Sequence, residues 1–425
     1  MGPDREAEKM TSAVLAALTA KQAAAHPEPV WTRTRRHGPD SLAFDFKAGG
    51  SSFTLELVET GSGVALSVTA PTDEARRILR NALVGRFALV CSGGERHVLE
   101  RPVKDSSPSA LLASAAGWIG HVSGLVNDML GAVRPGGDVP PEFLNLLWWD
   151  EQPNFGDAAG PWLAARLSGL TPVNGRGRQL GSPPLASVGS IAGWLEQDGS
   201  RIWGSGLMGP LGAESLERLR GLRDIRVHAV RGRHTREELM GKAGWEVPEV
   251  FGDPALLLPQ FLPAGQFLPA DRFIAADRHS SPPIAVVPHL DHRSALAHLA
   301  GPGVQLVDVR EGVEAVVAQI AGAQVCVSSS LHGIIVAQAY GVPWVWLRIS
   351  DLLISGDTFK FEDFFTTLDA AAVSACDLPA RSLTQPLLTE IAARASLPET
   401  TVDVGLVLES FPFRRAFSGA GQFNG

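Results

Sequence analysis

The sequence predicts an α/β protein in which two doubly wound, Rossmann-like domains face each other behind a small α+β module. From residue 142 onward, short apolar runs alternate with helical stretches, which is typical of parallel sheets covered on both faces. A proline-rich segment at residues 252 to 270, GDPALLLPQFLPAGQFLPA, interrupts this series and indicates an interdomain connection. The first 140 residues show a different pattern. We therefore expect a module at 1–140 and domains at 141–275 and 276–425.

The N-terminal module is predicted from alternating apolar and polar residues. Residues 42–46, 53–58 and 64–69 have the period of half-buried antiparallel strands. Thr72 is placed to cap a helix that runs to about Arg80. We find no catalytic constellation here, and residues 133–141 (VRPGGDVPP) are typical of a linker.

The two domains are predicted from eight apolar strands. Those of the first domain are 144–148, 186–188, 202–203 and 226–230. Those of the second domain are 284–287, 305–307, 324–327 and 344–347. The number of units is too small for one eight-fold barrel, which favours two doubly wound halves.

Composition and charge exclude several classes of protein. The net charge of −8 over 425 residues does not suit a general nucleic-acid binder. The three cysteines, Cys91, Cys326 and Cys376, form no C-x-x-C pair, so we expect neither a disulfide framework nor a cysteine zinc site. We also see no cluster of metal ligands, and a reducing compartment fits the cysteine content.

Two segments bear on localisation. The first ten residues, MGPDREAEKM, are charged and precede no apolar run, so we expect no signal peptide. Residues 107–127 carry no Asp, Glu, Lys or Arg, but their serine and glycine content favours a buried or interfacial helix over a membrane span. We expect a cytoplasmic protein that contacts the membrane peripherally, if at all.

Polar residues follow the predicted strands. In open parallel sheets, ligands bind beyond the carboxyl ends of the strands. The residues found at these positions are Asn154 and Asp157, Ser205, Arg231 and Arg233, His289, Ser328 to Ser330 with His332, and Arg348. A single residue of this kind is weak evidence for a site. Asn154 to Asp157, for example, can equally form a turn and a helix cap. Their collection at the same edge of both sheets predicts a binding site there.

Arg231 stands at a junction that suits an anion. Thr235 followed by Glu238 has the spacing of a capping box, which predicts a helix beginning at Thr235. Arg231 would then lie beside the free N–H groups of that helix, where phosphate or carboxylate is favoured. The simpler alternative is a surface ion pair.

The stretch SSSLHGIIVAQAYGVPW, residues 328–344, joins a strand to a buried helix. Ser328 to Ser330 are interpreted either as helix caps or as contacts to an anion. His332 can exchange a proton near neutral pH, although a lone histidine in a first helical turn is usually structural.

Several motifs in a fixed order resemble the polysaccharide pyruvyl transferase family over about residues 143–415. They are NFGD (154–157), VGSI (188–191), IWGSG (202–206), RG-x-x-T (231–235), GDPALLLP (252–259), VVPH (286–289), SSSLHGIIVAQAYGVP (328–343) and KFEDFF (360–365). The resemblance implies a GT-B-like fold. It also implies transfer of pyruvate from phosphoenolpyruvate onto two hydroxyls of a sugar, which forms a cyclic ketal and releases phosphate.

The resemblance assigns roles to individual residues. It implies that His332 is the general acid/base, that Leu331 and Lys360 belong to the substrate site, and that no metal or redox cofactor is needed. Many members carry arginine immediately before Leu-His-Gly, where this chain has Ser330. Arg231, Arg233 or Arg348 are candidates to supply that charge.

The expected acceptor is a sugar of a bacterial surface polysaccharide or its lipid-linked precursor. Two alternatives stay open. One is a glycosyltransferase that uses a nucleotide-sugar on the same fold, because fold alone does not determine function. The other is a glycan-binding relative without catalysis. The sequence indicates no oligomeric state.

Overall fold

The computed structural model describes most of the chain after residue 30. The described residues are 31–38, 41–48, 50–60, 63–83, 89–92, 96–99, several positions between 122 and 131, 139–264, 284–356 and 358–414. The linker at 133–141, the stretch 107–127 and the predicted boundary at 275 lie largely or wholly outside these ranges.

A six-stranded antiparallel sheet precedes the rest of the fold. Its spatial order is β1-β2-β3-β4-β6-β5. The strands are β1 (Trp31–Gly38), β2 (Ser41–Ala48), β3 (Ser51–Thr60), β4 (Gly63–Thr69), β5 (Leu89–Ser92) and β6 (Arg96–Leu99). β2, β3 and β4 confirm the three predicted strands, whereas the other three lack a clear alternation and were not predicted.

A helix, α1 (Asp73–Leu83), lies between β4 and β5 of this sheet. Its predicted cap is confirmed, since Thr72 Oγ1 accepts a hydrogen bond of 3.2 Å from the N–H of Ala75. The C-terminal end of α1 is hydrogen-bonded to Asp150, which follows the first strand of the next sheet. Asn81 donates from Nδ2 to Asp150 Oδ2 at 2.7 Å, and Arg80 donates to the Asp150 carbonyl at 2.9 Å.

Two five-stranded parallel sheets form the main body. The first has the order β11-β10-β9-β7-β8 and the second β13-β12-β14-β15-β16. The first contains β7 (Phe143–Leu147), β8 (Thr171–Asn174), β9 (Leu185–Ala186), β10 (Arg201–Trp203) and β11 (Arg226–Ala229). The second contains β12 (Ile284–Val287), β13 (Val304–Leu306), β14 (Val325–Ser328), β15 (Trp344–Ile349) and β16 (Ala375–Leu378).

All eight strands predicted for this part are confirmed, with shifts of one or two residues at their ends. β8 (TPVN) and β16 (ACDL) were missed, because four residues with polar members give no apolar run. Counted along the chain, both sheets have the order 2-1-3-4-5, so the two halves repeat one topology.

Helices connect the parallel strands, and two more follow the last of them. They are α2 (Phe155–Ser168), α3 (Ala213–Gly221), α4 (Arg233–Glu238), α5 (Leu258–Phe261), α6 (Arg293–Leu296), α7 (Val313–Ala321), α8 (Leu331–Ala339), α9 (Phe359–Phe365), α10 (Gln385–Ala392) and α11 (Val404–Glu409). No described helix combines the length and apolarity that crossing a bilayer requires.

One hydrophobic cluster joins the two halves. It contains Leu146 from the first sheet, Val287 from the second, and Ile335 from α8, all fully buried. The segment at 252–270 contributes to it directly. Pro254–Leu257 forms a 3-10 turn that continues into α5, and Leu257 is completely buried. This connection is therefore an ordered part of the core, up to the last described residue at 264.

The C-terminal segment returns to the first parallel sheet. Trp203 on β10 donates from Nε1 to the carbonyl of Val407 on α11 at 2.7 Å. The ring of Phe411 packs on Trp203 with 4.7 Å between centroids. The end of the described chain thus belongs to the packing of the first half.

Candidate active site

The site lies where the strand order of each sheet reverses. In a sheet of order 2-1-3-4-5, the first and third strands diverge to opposite sides and leave a crevice at their carboxyl ends. In the first sheet these strands are β7 and β9, and Asn154 and Asp157 follow β7. In the second they are β12 and β14, followed by His289 and His332.

His332 faces the first half from the second residue of α8. Its Nε2 lies 3.9 Å from Oδ2 of Asp253, and 15% of its side chain is exposed. Within the described residues, neither of these two buried atoms has a hydrogen-bond partner. The ring packs edge-on against Phe155, with centroids 6.3 Å apart. His332 is therefore held at the junction of the halves with one nitrogen facing a buried carboxyl group.

Burial, together with neighbouring charges, sets the protonation of this pair. Burial lowers the pKa of His332 to about 3, and the positive charges of Arg231 and Lys360 act in the same direction. Burial raises the pKa of Asp253 to about 6, although the hydrogen bond from the Ala255 N–H opposes the rise. At neutral pH the imidazole is thus an uncharged base.

Asn154 and Asp157 occupy the start of α2. Asn154 caps this helix, since its Oδ1 accepts from the N–H of Gly156 at 3.1 Å. Burial raises the pKa of Asp157 to about 7, while the charges of Lys360 and Arg176 lower it. Asp157 therefore titrates near neutrality, and a carboxyl group with this pKa can donate or accept a proton at pH 7.

Lys360 supplies positive charge to the same region. It lies on α9, is 7% exposed, and donates from Nζ to the carbonyl of Ser355 at 3.0 Å. Its charge lowers the pKa values of His332, His289 and Asp157. Lys360 is thus brought near three of the predicted site residues.

His289 stands at the end of β12. It caps the turn Leu290–His292, and its Nδ1 accepts from the Asp291 N–H at 3.3 Å. Burial lowers its pKa to about 4, and the charge of Lys360 adds to this. His289, like His332, is uncharged at neutral pH.

The three serines shape the strand–helix junction. Ser330 caps α8, with Oγ accepting from the Gly333 N–H at 3.4 Å. Ser328 Oγ lies 3.0 Å from the carbonyl of Val287 and accepts from the Ser330 N–H at 3.0 Å. Ser329 Oγ accepts from the His289 N–H at 3.0 Å. The cap interpretation is confirmed for Ser330, and anion binding by the serines stays a prediction.

Arg231 is completely buried and bonded within the protein. Its Nε donates to Oδ2 of Asp363 at 2.9 Å, and both side chains are fully inaccessible. Its terminal nitrogens donate to Ser190 Oγ at 2.6 Å and to the Leu207 carbonyl at 2.7 Å. The alternative of an ion pair is thus observed, although in the interior rather than at the surface.

The predicted start of the next helix is wrong by two residues. α4 begins at Arg233 behind Gly232, and Thr235 lies inside its first turn. Glu238 does not close a capping box, because its carboxylate accepts from the Leu211 N–H at 2.8 Å. Asp363 and Thr366 of the second half cap α4 instead. They accept from the N–H groups of Thr235 and Arg233, each at 2.8 Å.

The loop after β10 packs closely against other parts of the same chain. A Cβ on Gly204 would lie 2.3 Å from Pro254, and one on Gly206 would lie 2.2 Å from the Arg231 guanidinium. Ser205 is buried and donates to the Gly189 carbonyl at 2.9 Å. The backbone of this loop is therefore closely approached by Pro254 and Arg231 of the same chain.

Three further predicted residues have other contacts. Arg233 is exposed, and its guanidinium stacks over Phe251 at 4.6 Å. Arg348 pairs with Asp377 of β16 at 3.0 Å. Leu331 is a buried member of the core.

Residues 202–351 match the family model described as polysaccharide pyruvyl transferase. The match covers about a third of the chain and includes Asp253, His289 and His332. It indicates a transferase that acts on polysaccharide. No curated protein matches the chain.

Asp253 was missed as a site residue. It stands in GDPALLLP, where an aspartate before Pro254 is the ordinary signal of a helix cap, and it does cap the following turn. The other carboxylate oxygen, Oδ2, faces His332, which lies far from Asp253 in the sequence. Nothing local in the sequence distinguishes such a residue from a simple cap. Within the described part of the chain, no three His, Cys, Asp or Glu side chains form a group suited to a metal ion.

Proposed function

We propose that this protein transfers pyruvate from phosphoenolpyruvate to two hydroxyls of a sugar in a bacterial surface polysaccharide or its lipid-linked precursor. The observation that carries the proposal is the His332–Asp253 pair, which lies inside the family match and in which His332 follows a strand at the reversal point of the second sheet. A GT-B-like arrangement of two facing halves, with donor and acceptor bound between them, fits this position.

The donor brings a phosphate and a carboxylate to this region. Lys360 is the cation assigned to it, because its charge acts on His332, His289 and Asp157 alike. Neutral His289 can donate a hydrogen bond to an anion. The buried position of these groups strengthens their interaction with the charge of a departing phosphate.

His332 is assigned the proton transfers. The negative charge of bound donor favours the imidazolium form, which donates its proton to C3 of the enol and makes C2 electrophilic. The first sugar hydroxyl adds to C2 and returns a proton to His332. The C2–oxygen bond to phosphate breaks, and the phosphate takes that proton. The second hydroxyl then closes the ketal and reprotonates His332.

This proton balance requires no redox or metal cofactor. One hydroxyl proton replaces the proton given to the methyl group, and the other replaces the proton carried away by phosphate. Asp253 is assigned a supporting role, because a carboxylate facing Nε2 stabilises the imidazolium formed between these steps.

The test is release of phosphate from phosphoenolpyruvate in the presence of glycan acceptors, with the pyruvylated product identified by mass spectrometry. We expect His332→Ala to lower kcat by about two orders of magnitude or more, as for a lost general acid/base. His298→Ala is the matched control, since His298 is exposed and bonds the carbonyls of Ala295 and Leu383. Turnover of His332→Ala at the level of this control would contradict the assignment.

A binding measurement separates the donor classes. Phosphoenolpyruvate should raise the Tm of the wild-type protein, because a ligand that binds only the folded state stabilises it. Stabilisation by nucleotide-sugars alone would instead support a glycosyltransferase.

A further inference from the structure

A buried carboxylate joins the two halves beside the site. Asp363 on α9 accepts from Nε of Arg231 at 2.9 Å, from the Thr235 N–H at 2.8 Å, and from the Thr235 hydroxyl at 2.7 Å. All three side chains are completely buried. Asp363 thus receives a guanidinium, a backbone amide and a hydroxyl, all from the strand end and helix start of the first half.

These donors are the ones that bind free anions in other proteins. An arginine at a strand end and the exposed N–H groups of the next helix favour phosphate or carboxylate. Here Gly232 offers no side chain to cap α4, and a Cβ at that position would lie 2.6 Å from Asp363 Oδ1. The place where the sequence predicts an external anion is therefore filled by a carboxylate of the same chain.

Asp363 also lies one helical turn after Lys360. Residues three apart project from the same side of a helix, so the carboxylate and the site lysine share one face of α9. The remaining face is aromatic and packs on β15, where Phe361 stacks on Trp346 with 4.8 Å between centroids. The three hydrogen bonds to Asp363, together with the one from the Arg233 N–H to Thr366, fix the rotation of the helix against the first half.

We propose that Asp363 is a positioning residue, whose carboxylate fills the anion pocket of Arg231 and α4 and so holds Lys360 toward the donor site. The proposal rests on the proposed function for the role of Lys360 only. It implies that Arg231 acts on the reaction through Asp363, while the donor anions are bound by other groups.

The occupancy of the pocket is tested by chemical rescue. Asp363→Ala removes the carboxylate and leaves Arg231 buried without its partner, so the Tm should fall. Added formate can occupy the vacated pocket, and it should restore part of the lost Tm in a saturable manner. Sodium chloride at equal ionic strength should not restore the Tm. A Tm that formate does not raise above the chloride control would overturn occupancy of the pocket.

The positioning role is tested by a double-mutant cycle with Lys360. We expect Asp363→Ala and Lys360→Met each to raise the KM for phosphoenolpyruvate about tenfold or more, and the double variant to resemble Lys360→Met alone. Effects that couple in this way show that one residue acts through the other. Independent, multiplying effects would overturn the proposal. Should Asp363→Ala not fold, Asp363→Asn enters the same cycle, because its amide oxygen can still accept from Thr235.

The matched control is a second ion pair between the halves. Glu314 on α7 accepts from Trp162 Nε1 at 2.6 Å and from Arg166 at 3.3 Å, remote in sequence from α9. Glu314→Gln should lower the Tm and leave the KM unchanged. An equal rise in KM in this variant would overturn a specific role of Asp363. Absence of turnover in the wild type would contradict the proposed function and the role of Lys360, while formate rescue would still decide what fills the pocket.

Discussion

At the level of single residues, the His332–Asp253 pair brings together two buried atoms that have no hydrogen-bond partner among the described residues. Such atoms are rare in folded proteins, because each forfeits its interaction with water. Here they face each other at 3.9 Å, slightly beyond hydrogen-bond distance. A small movement or an added proton would satisfy both, which is the behaviour expected of a pair that handles protons.

The first prediction concerns this carboxylate. Asp253→Asn keeps the shape and the cap of the following turn but removes the charge that stabilises an imidazolium. We expect kcat to fall about tenfold to a hundredfold, with the KM for phosphoenolpyruvate changed far less, in steady-state assays of phosphate release. Asp198→Asn is the control, since Asp198 pairs with Arg223 at the surface. Equal kcat values for the two variants would remove Asp253 from the mechanism.

The second prediction concerns Asp157 and pH. Burial raises its pKa from 3.8 to about 7, so the folded state holds a proton that the unfolded state releases between these values. Its contribution to stability is therefore complete below pH 3.8 and is lost as pH rises through 7. Asp157→Asn does not titrate, so its free energy of unfolding relative to wild type should rise by about 2 kcal/mol from pH 5 to pH 8.

This difference is measured by urea denaturation of both proteins at the two pH values. Asp198→Asn provides the comparison, because the hydrogen bonds from Arg223 lower the pKa of Asp198 and keep it ionised throughout this range. A stability difference for Asp157→Asn that does not vary with pH would show that the carboxyl group has an ordinary pKa.

At the level of elements, two helix starts bring the site together. α2 and α8 begin on opposite halves, and Gly156 of the first lies against His332 of the second. A Cβ on Gly156 would lie 2.2 Å from Nδ1 of His332. The glycine in NFGD is thus explained by the proximity of the imidazole rather than by a special backbone angle.

The third prediction follows from this contact. Gly156→Ala should displace the imidazole and lower kcat by about a hundredfold, because a shift of about 1 Å has effects of that size. Gly241→Ala is the matched control, since Gly241 is also helical and a Cβ there meets nothing within 4 Å. Assays of phosphate release compare the two, and unchanged turnover in Gly156→Ala would mean that His332 acts from another position.

The start of α4 shows how tertiary contacts displace a local signal. Thr235 and Glu238 have the spacing of a capping box, yet Asp363 and Thr366 provide the caps from another helix. For the Thr235 amide, the Asp363 carboxylate is a better acceptor than a local hydroxyl, because a hydrogen bond to a charged group is the stronger.

At the level of the whole molecule, the two halves share one hydrophobic core. The C-terminal segment packs on the first half. Val407 of α11 is completely buried and its carbonyl accepts from Trp203, whereas its neighbour Leu406 is 44% exposed. Burial of this segment thus depends on one side of a short helix.

The fourth prediction uses these neighbouring residues. Val407→Ala should lower the free energy of unfolding by about 2 kcal/mol, from lost burial and the cavity that remains. Leu406→Ala should change it by about 0.5 kcal/mol or less, although it removes more atoms, because an exposed side chain loses little on truncation. Urea denaturation measures both. Equal effects would mean that this segment is not packed on the first sheet in solution.

Hydrophobic patterning predicted most of the strands, and the residues after the strands predicted a site at one edge of the sheets. Apolar runs gave eight of the ten parallel strands, because buried strands need continuous hydrophobic residues, and polar residues could then be located at the strand ends. The contacts that these polar residues make could be read only from the packed structure. Asp253 faces His332, and Asp363 reaches Arg231, across the two halves of the chain. No local pattern encodes such pairs, since burial and the charges of neighbouring elements arise only when the halves pack together.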